Sequence, residues 1–211
     1  QCQELAVADL TWTRVANAAG EAVSESVTSW KSDGDVHLVE GLTDGKYMLT
    51  EESAPDGYKK AESITFEIKN GALVTEGNSA IEEGVVVMAD ELNKTNVKIS
   101  KVDAADGVTE LKDAKLTVVR TKDASGNDVS EEGISWISDG TTHTVEGLLD
   151  GTYTLTEESA PNGYKVAESI TFVIKDGELV EEGNEAIEDG VVKMADELFK
   201  TDVQISKVDA G

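Results

Sequence analysis

The chain repeats itself, and that repeat constrains its fold more than any other feature. Ser29-Trp30 returns as Ser135-Trp136, and Val39-Glu40-Gly41-Leu42 as Val145-Glu146-Gly147-Leu148. Thr50-Glu51-Glu52-Ser53-Ala54-Pro55 returns as Thr156-Glu157-Glu158-Ser159-Ala160-Pro161, and Met88-Ala89-Asp90-Glu91-Leu92 as Met194-Ala195-Asp196-Glu197-Leu198. Each pair stands 106 positions apart, so no insertion separates the copies. Copies of this size in one 211-residue chain behave as beads, each of which buries its own core.

Within one bead the pattern is that of strands. Val, Ile and Thr dominate short segments that alternate apolar with polar, divided by turns such as Asp44-Gly45, Asp150-Gly151 and Asp176-Gly177. No stretch carries helical periodicity; short turns are expected near 77–83 and 183–188. Pro55 and Pro161 follow one strand in each copy and should end it. The fold class predicted is all-β: tandem immunoglobulin-like sandwiches of about seven strands each. The register assigns 1–96 to a first bead and 97–200 to a second, complete one. Residues 201–211 form an extra first strand, because Val203-Gln204-Ile205-Ser206-Lys207-Val208-Asp209 copies Val97-Lys98-Ile99-Ser100-Lys101-Val102-Asp103. The counterpart of the Lys101 strand would fall before residue 1, so the first bead is expected to lack it.

Alternation also sends charges inward. Tyr153, Leu155 and Glu157 share one strand face; so do Val192, Met194, Asp196 and Leu198, and so do Val97, Ile99 and Lys101. A buried charge is costly unless paired or neutralised. Alternation alone leaves two explanations open, a buried ion pair or a bond that removes the charges. Glu52 and Glu158 fall on the opposite face, toward solvent.

Composition narrows the function. With 43 acidic against 18 basic residues the net charge is −25, which repels phosphates and anionic headgroups, so neither nucleic acid nor a membrane surface is an expected partner. No apolar stretch approaches membrane-spanning length, and no signal-peptide pattern opens the chain. Cys2 is the single cysteine, so no internal disulfide can form; a terminal thiol is expected. His37 and His143 lack metal-ligand neighbours and read as strand residues. Asp123–Asp128 reads as a turn and not a calcium loop, since its counterpart at 17–22 lacks the acids. No metal or cofactor is expected. Asn93-Lys94-Thr95 matches a glycosylation triplet, a weak signal.

Tyr153-x-Leu155-x-Glu157-x-x-x-Pro161-x-Gly163-Tyr164, and Tyr47 to Tyr58 likewise, resemble the glutamate box of collagen-adhesin B-type (CnaB, prealbumin-like) domains of Gram-positive surface proteins and pilins. The Lys-Val-Asp, Ser-Trp-x-Ser-Asp-Gly and Met-Ala-Asp segments are similar to that family too. The resemblance implies that a first-strand lysine joins an Asn or Asp of the last strand, with the boxed glutamate as catalyst. Carried over, Lys101 would bond to Asp196 under Glu157. Glu51 and Asp90 of the first bead would await a lysine, for which Lys207 is the candidate. The last-strand residue is aspartate in both copies, so the reaction would release water.

Elementary chemistry agrees with that implication. Burial disfavours the charged forms of amine and acid alike, so a dry pair can meet as nucleophile and electrophile. Packing holds them in near-attack geometry, and a neighbouring carboxyl can shuttle protons. The event happens once per site, so the chain is not an enzyme in the turnover sense. The function expected is a structural cell-surface fibre or stalk, extracellular, as in a pilus or adhesin shaft. Its partners would be other copies of itself, through Lys207 into the first bead of a neighbour, or further tandem repeats. The alternative is an adhesin module that recognises a host matrix protein or glycan, for which the short, acidic, aromatic-poor loops offer little.

Overall fold

The structure is a computed structural model that describes residues 4–209. The chain divides into two compact units, Gln1–Asn93 and Lys94–Gly211. Among the described residues both units are built from strands and turns, with no helix. Unit 1 runs β1 (Ala6–Asn17), β2 (Ala22–Asp33), β3 (Gly45–Ser53), β4 (Tyr58–Lys59), β5 (Ile64–Lys69), β6 (Ala72–Leu73), β7 (Ile81–Glu82), β8 (Val85–Val86) and β9 (Glu91–Leu92). Unit 2 runs β10 (Lys94–Asp103), β11 (Lys112–Lys122), β12 (Ile134–Asp139), β13 (His143–Leu149), β14 (Gly151–Ser159), β15 (Ile170–Lys175), β16 (Glu178–Leu179), β17 (Ile187–Glu188) and β18 (Val191–Asp196).

Unit 2 is a closed two-sheet sandwich. One sheet has the order β12-β11-β14-β15-β16 and is antiparallel throughout; the other has the order β13-β10-β18-β17. In that second sheet β10 and β18 lie parallel, so the first and last long strands of the unit are neighbours. Alternation decides what faces inward. Along β14 every second residue, from Gly151 through Tyr153 and Leu155 to Glu157, is buried. Leu116, Val118, Leu155, Phe172 and Ile174 of one sheet form a core with Val97, Ile99, Val145, Val192 and Met194 of the other. The β14 strand ends at Ser159, ahead of Pro161, and β3 ends at Ser53, ahead of Pro55.

Unit 1 repeats one sheet and not the other. The order β2-β1-β3-β5-β6 matches β12-β11-β14-β15-β16 strand for strand. Fine details recur: the Tyr47 hydroxyl donates to the Thr43 carbonyl at 2.7 Å, and the Tyr153 hydroxyl to the Leu149 carbonyl at 2.8 Å. Gly45 and Gly151 both have a positive φ, and an added Cβ would run into the carbonyl oxygen of Ala16 or Lys122, so only glycine fits there. The second sheet, by contrast, is reduced to the β7–β8 hairpin. His37–Thr43, the counterpart of β13, and Val87–Asp90, the counterpart of most of β18, lie outside strands. Among the described residues nothing stands where β10 does in unit 2. A strand needs hydrogen-bonding neighbours, and these two segments would have flanked the missing one.

The core responds in the same way. In unit 2, Val145, Leu148, Val192 and Met194 are 3%, 6%, 0% and 0% exposed. Their counterparts Val39, Leu42, Val86 and Met88 are only partly buried, against Trp12, Tyr47, Leu49 and Ile68. The C-terminal segment that copies β10 is not in a strand, and Val203 and Ile205 are largely exposed.

Candidate functional site

Three elements bring the inward-facing charges of unit 2 together. Lys101 comes from β10, Asp196 ends β18, and Glu157 comes from β14 in the opposite sheet. In the parallel pairing Lys101 stands opposite Met194, so its long side chain runs two residues forward to Asp196. Nζ of Lys101 contacts Oδ1 of Asp196 and lies 3.2 Å from Oε1 of Glu157. All three residues are essentially without solvent: Lys101 is 2%, Glu157 3% and Asp196 0% exposed. The backbone N–H of Ala167 donates to Oε2 of Glu157 at 2.7 Å, which fixes the carboxyl plane and leaves Oε1 turned to the amine. Oε1 of Glu157 and Oδ2 of Asp196 have no hydrogen-bond partner. Burial pushes the Asp196 carboxyl up to about 6; the Lys101 amine opposes this, and the charge of Glu157 adds to it. Asp196 therefore takes up a proton more readily than an exposed carboxyl, the form an electrophilic acid needs.

The rim of this site is stitched by contacts that run from the loop after β14 to the end of β10 and to the segment after β18. The Tyr164 hydroxyl donates to Oδ2 of Asp103 at 2.8 Å, two residues beyond Lys101. Tyr164 pairs with Leu198, the Phe199 N–H donates to the Gly163 carbonyl at 2.9 Å, and the Ala104 N–H donates to the Asp196 carbonyl at 2.9 Å. Sequence reading placed Tyr164 in a motif without giving it a partner. The signal was there in the form of Asp103, the acid repeated at the same distance from both lysines.

Unit 1 holds two of the three charges. Glu51 is 1% exposed and accepts the Ala61 N–H at 2.7 Å, as Glu157 accepts that of Ala167. Asp90 is half-buried beside it, and burial, followed by the charge and hydrogen bonding of Glu51, pushes its carboxyl up to about 6. Among the described residues neither Glu51 nor Asp90 has an ion-pair partner. Lys207 is exposed and outside any strand.

Several expectations need adjustment. Leu198 does not continue the buried face of β18; the strand ends at Asp196 and Leu198 is 40% exposed, spent on the Tyr164 bridge. His143 opens β13, but His37 is not in a strand; both stack on tryptophan, at 4.5 Å on Trp136 and 4.6 Å on Trp30. Asn93 is 6% exposed, which leaves no room for a glycan. Glu52 and Glu158 face solvent; Glu158 engages Lys115 and Thr117 there. Asp123 closes a turn by accepting the Asn127 N–H at 2.8 Å. Among the described residues no cluster of His, Cys, Asp or Glu could hold a metal ion. Cys2 lies outside the described residues.

A two-sheet sandwich whose adjacent parallel strands β10 and β18 deliver a lysine and an aspartate to a glutamate defines a prealbumin-like β-sandwich module. The chain belongs to the SpaA prealbumin-like fold domain family, whose model matches residues 3–79 and 95–185, once in each unit. Among solved structures it is similar to the Bacillus anthracis TIE protein, with 22% identity and a TM-score of 0.56 over 92% of this chain; the chain spans 31% of that protein. It is also similar to the C-terminal fragment of the pilus adhesin SpaC from Lactobacillus rhamnosus GG, with 16% identity and a TM-score of 0.53, covering 94% of this chain and 91% of that one. At these identities the two structures speak to fold alone. No curated protein matches the chain significantly.

Proposed function

We propose that this chain is a structural module of an extracellular bacterial fibre or stalk, such as a pilus or adhesin shaft, and that an isopeptide bond between Lys101 and Asp196 closes its second unit. The observation that carries this reading is the dry triad of Lys101, Glu157 and Asp196. A buried ion pair is seldom net stabilising, whereas a neutral amide removes both charges from the core. Glu157 takes a proton from the Lys101 amine as Nζ attacks Cγ of Asp196. An N–C bond forms, a C–O bond breaks, and Glu157 returns the proton to the departing hydroxyl as water. Each site reacts once.

The bond suits a part that carries tension. β10 and β18 are adjacent and parallel, near the two ends of the unit in sequence, so load passes through the amide instead of unzipping backbone hydrogen bonds. The family supports the surface setting, as does a similar fold described as a pilus adhesin. Unit 1 extends the chemistry: Glu51 and Asp90 form an acceptor for a lysine strand supplied by a further tandem repeat or by Lys207 of another copy, the latter giving a covalent head-to-tail fibre by strand addition. Proteolysis followed by mass mapping tests the intramolecular part. A branched peptide that joins the Lys101 and Asp196 segments is expected, and separate linear peptides would overturn it.

A further inference from the structure

We infer, resting on the Lys101–Asp196 reading above, that Glu110 is a positioning residue for the nucleophile: its carboxylate holds the backbone N–H of Lys101 and so fixes where the amine stands against Asp196. Every contact involved lies within unit 2. The ladder between β10 and β13 ends at the Ile99–His143 pair, so β13 has no residue left to pair with Lys101. The segment that returns after β10 takes over there. The Lys101 N–H donates to Oε2 of Glu110 at 3.1 Å, and the Leu111 N–H donates to the Lys101 carbonyl at 2.7 Å. Two consecutive residues thus take both backbone groups of the lysine, one through a side chain and one through the main chain.

Glu110 is itself braced. The Thr142 hydroxyl donates to its Oε1 at 3.0 Å, the Ser100 and Thr142 hydroxyls lie 3.0 Å apart, and Glu110 forms an isolated bridge with Val102. A carboxylate suits this place because it accepts twice, one oxygen from the strand and the other from the segment just ahead of β13. Without it the Lys101 N–H would lack an acceptor at the end of its ladder, beside a side chain that is 2% exposed. The cost falls on the chemistry. Lys101 stands opposite Met194 and its side chain must run two residues forward to Asp196, so a shift of its backbone is carried to the reacting atoms. Misplacement there by about 1 Å can cost roughly 10²-fold in rate. Glu110 is no catalyst: the ion-pair contacts of Nζ are with Glu157 and Asp196, and Glu110 acts through the backbone alone.

The test follows loss of water at Lys101–Asp196 by intact mass, after the full chain, recovered unreacted from denaturant, is refolded by dilution. Glu110→Ala is expected to slow that loss about 10–100-fold, the range for one hydrogen bond to a charged group. Glu110→Gln can still accept the Lys101 N–H and meet Thr142, so it is expected to recover most of the rate. Rates are compared at low urea, where tryptophan fluorescence shows each variant folded and the rate no longer changes with urea. In that plateau a loss of stability alone leaves the rate unmoved, whereas a displaced amine does not. Should Glu110→Ala fail to refold, Thr142→Val, which removes only the brace on Oε1, takes its place with a smaller slowing expected, and an unchanged rate there counts against the role of Glu110. If the unaltered chain loses no water, the isopeptide reading falls and this inference with it. If the unaltered chain loses water and Glu110→Ala matches it in the plateau, or Glu110→Gln is as slow as Glu110→Ala, the bond stands and the positioning role is overturned.

Discussion

The two units share nearly all their sequence motifs and differ by one strand. With β10 present, His143–Leu149 and Val191–Asp196 are strands and the aspartate is sealed; without it, His37–Thr43 and Val87–Asp90 have no ladder and Asp90 is half-buried. The five-stranded sheet is the same in both, down to the tyrosine that ties β3 or β14 to the segment just before it. One half of the sandwich is therefore self-sufficient. The other half depends on a strand that also carries Lys101, so completing the sheet and bringing an amine to the two carboxyls are a single event.

The sharpest way to break this contrast is to disarm unit 2. Lys101→Ala removes the proposed cross-link, which would span 95 residues and be worth roughly 4–5 kcal/mol on the chain-entropy treatment used for disulfides, and leaves two acids dry and unpaired. Calorimetry should show the unit 2 transition fall by more than about 4 kcal/mol, to or below that of unit 1; an unchanged transition would mean that the lysine does not distinguish the units. Glu157→Gln should be milder in structure and severe in kinetics. Unit 2 still folds, but loss of water slows by about 10²–10⁴-fold, read from intact mass against time, as expected when a positioned proton shuttle is removed.

Hydrogen exchange compares the units without substitution. Amides of His37–Thr43 should exchange far faster than those of His143–Leu149, because only the latter sit in a ladder against β10. Equal protection would show that the missing strand does not matter. The smallest effect is on pH dependence. The Asp90 carboxyl is pushed up to about 6 in the folded unit against 3.8 ordinarily, so the fold binds a proton that the unfolded chain releases. Its favourable contribution is complete below about pH 4 and is lost as pH rises through about 6. Unit 1 should lose stability across that window, and Asp90→Asn should flatten the curve.

Much of this was legible in the residues. Alternation alone put Glu157, Asp196 and Lys101 on inward faces, because a side-chain period of two is a local property. Turn chemistry and the prolines ended β3 and β14 where expected. The sequence could not show that Val39-Glu40-Gly41-Leu42 would lie outside a strand while the identical Val145-Glu146-Gly147-Leu148 lies within one. Identical residues take different states there because a strand exists only with its neighbour, and the neighbour is distant in the chain. The Tyr164–Asp103 bond was hidden for the same reason: 61 residues separate its partners, and no local pattern couples them. The stacking of His37 on Trp30 and of His143 on Trp136 likewise depends on tertiary packing, since neither histidine shares a sheet with its tryptophan.

Everything turns on whether amine and acid have become one amide. High-resolution mass measurement of the intact, denatured monomer decides it. The account predicts a chain lighter than its summed residues by one water, with the deficit abolished in Lys101→Ala. A native mass equal to the full sum would leave Lys101 and Asp196 as an ordinary buried ion pair and contradict the account.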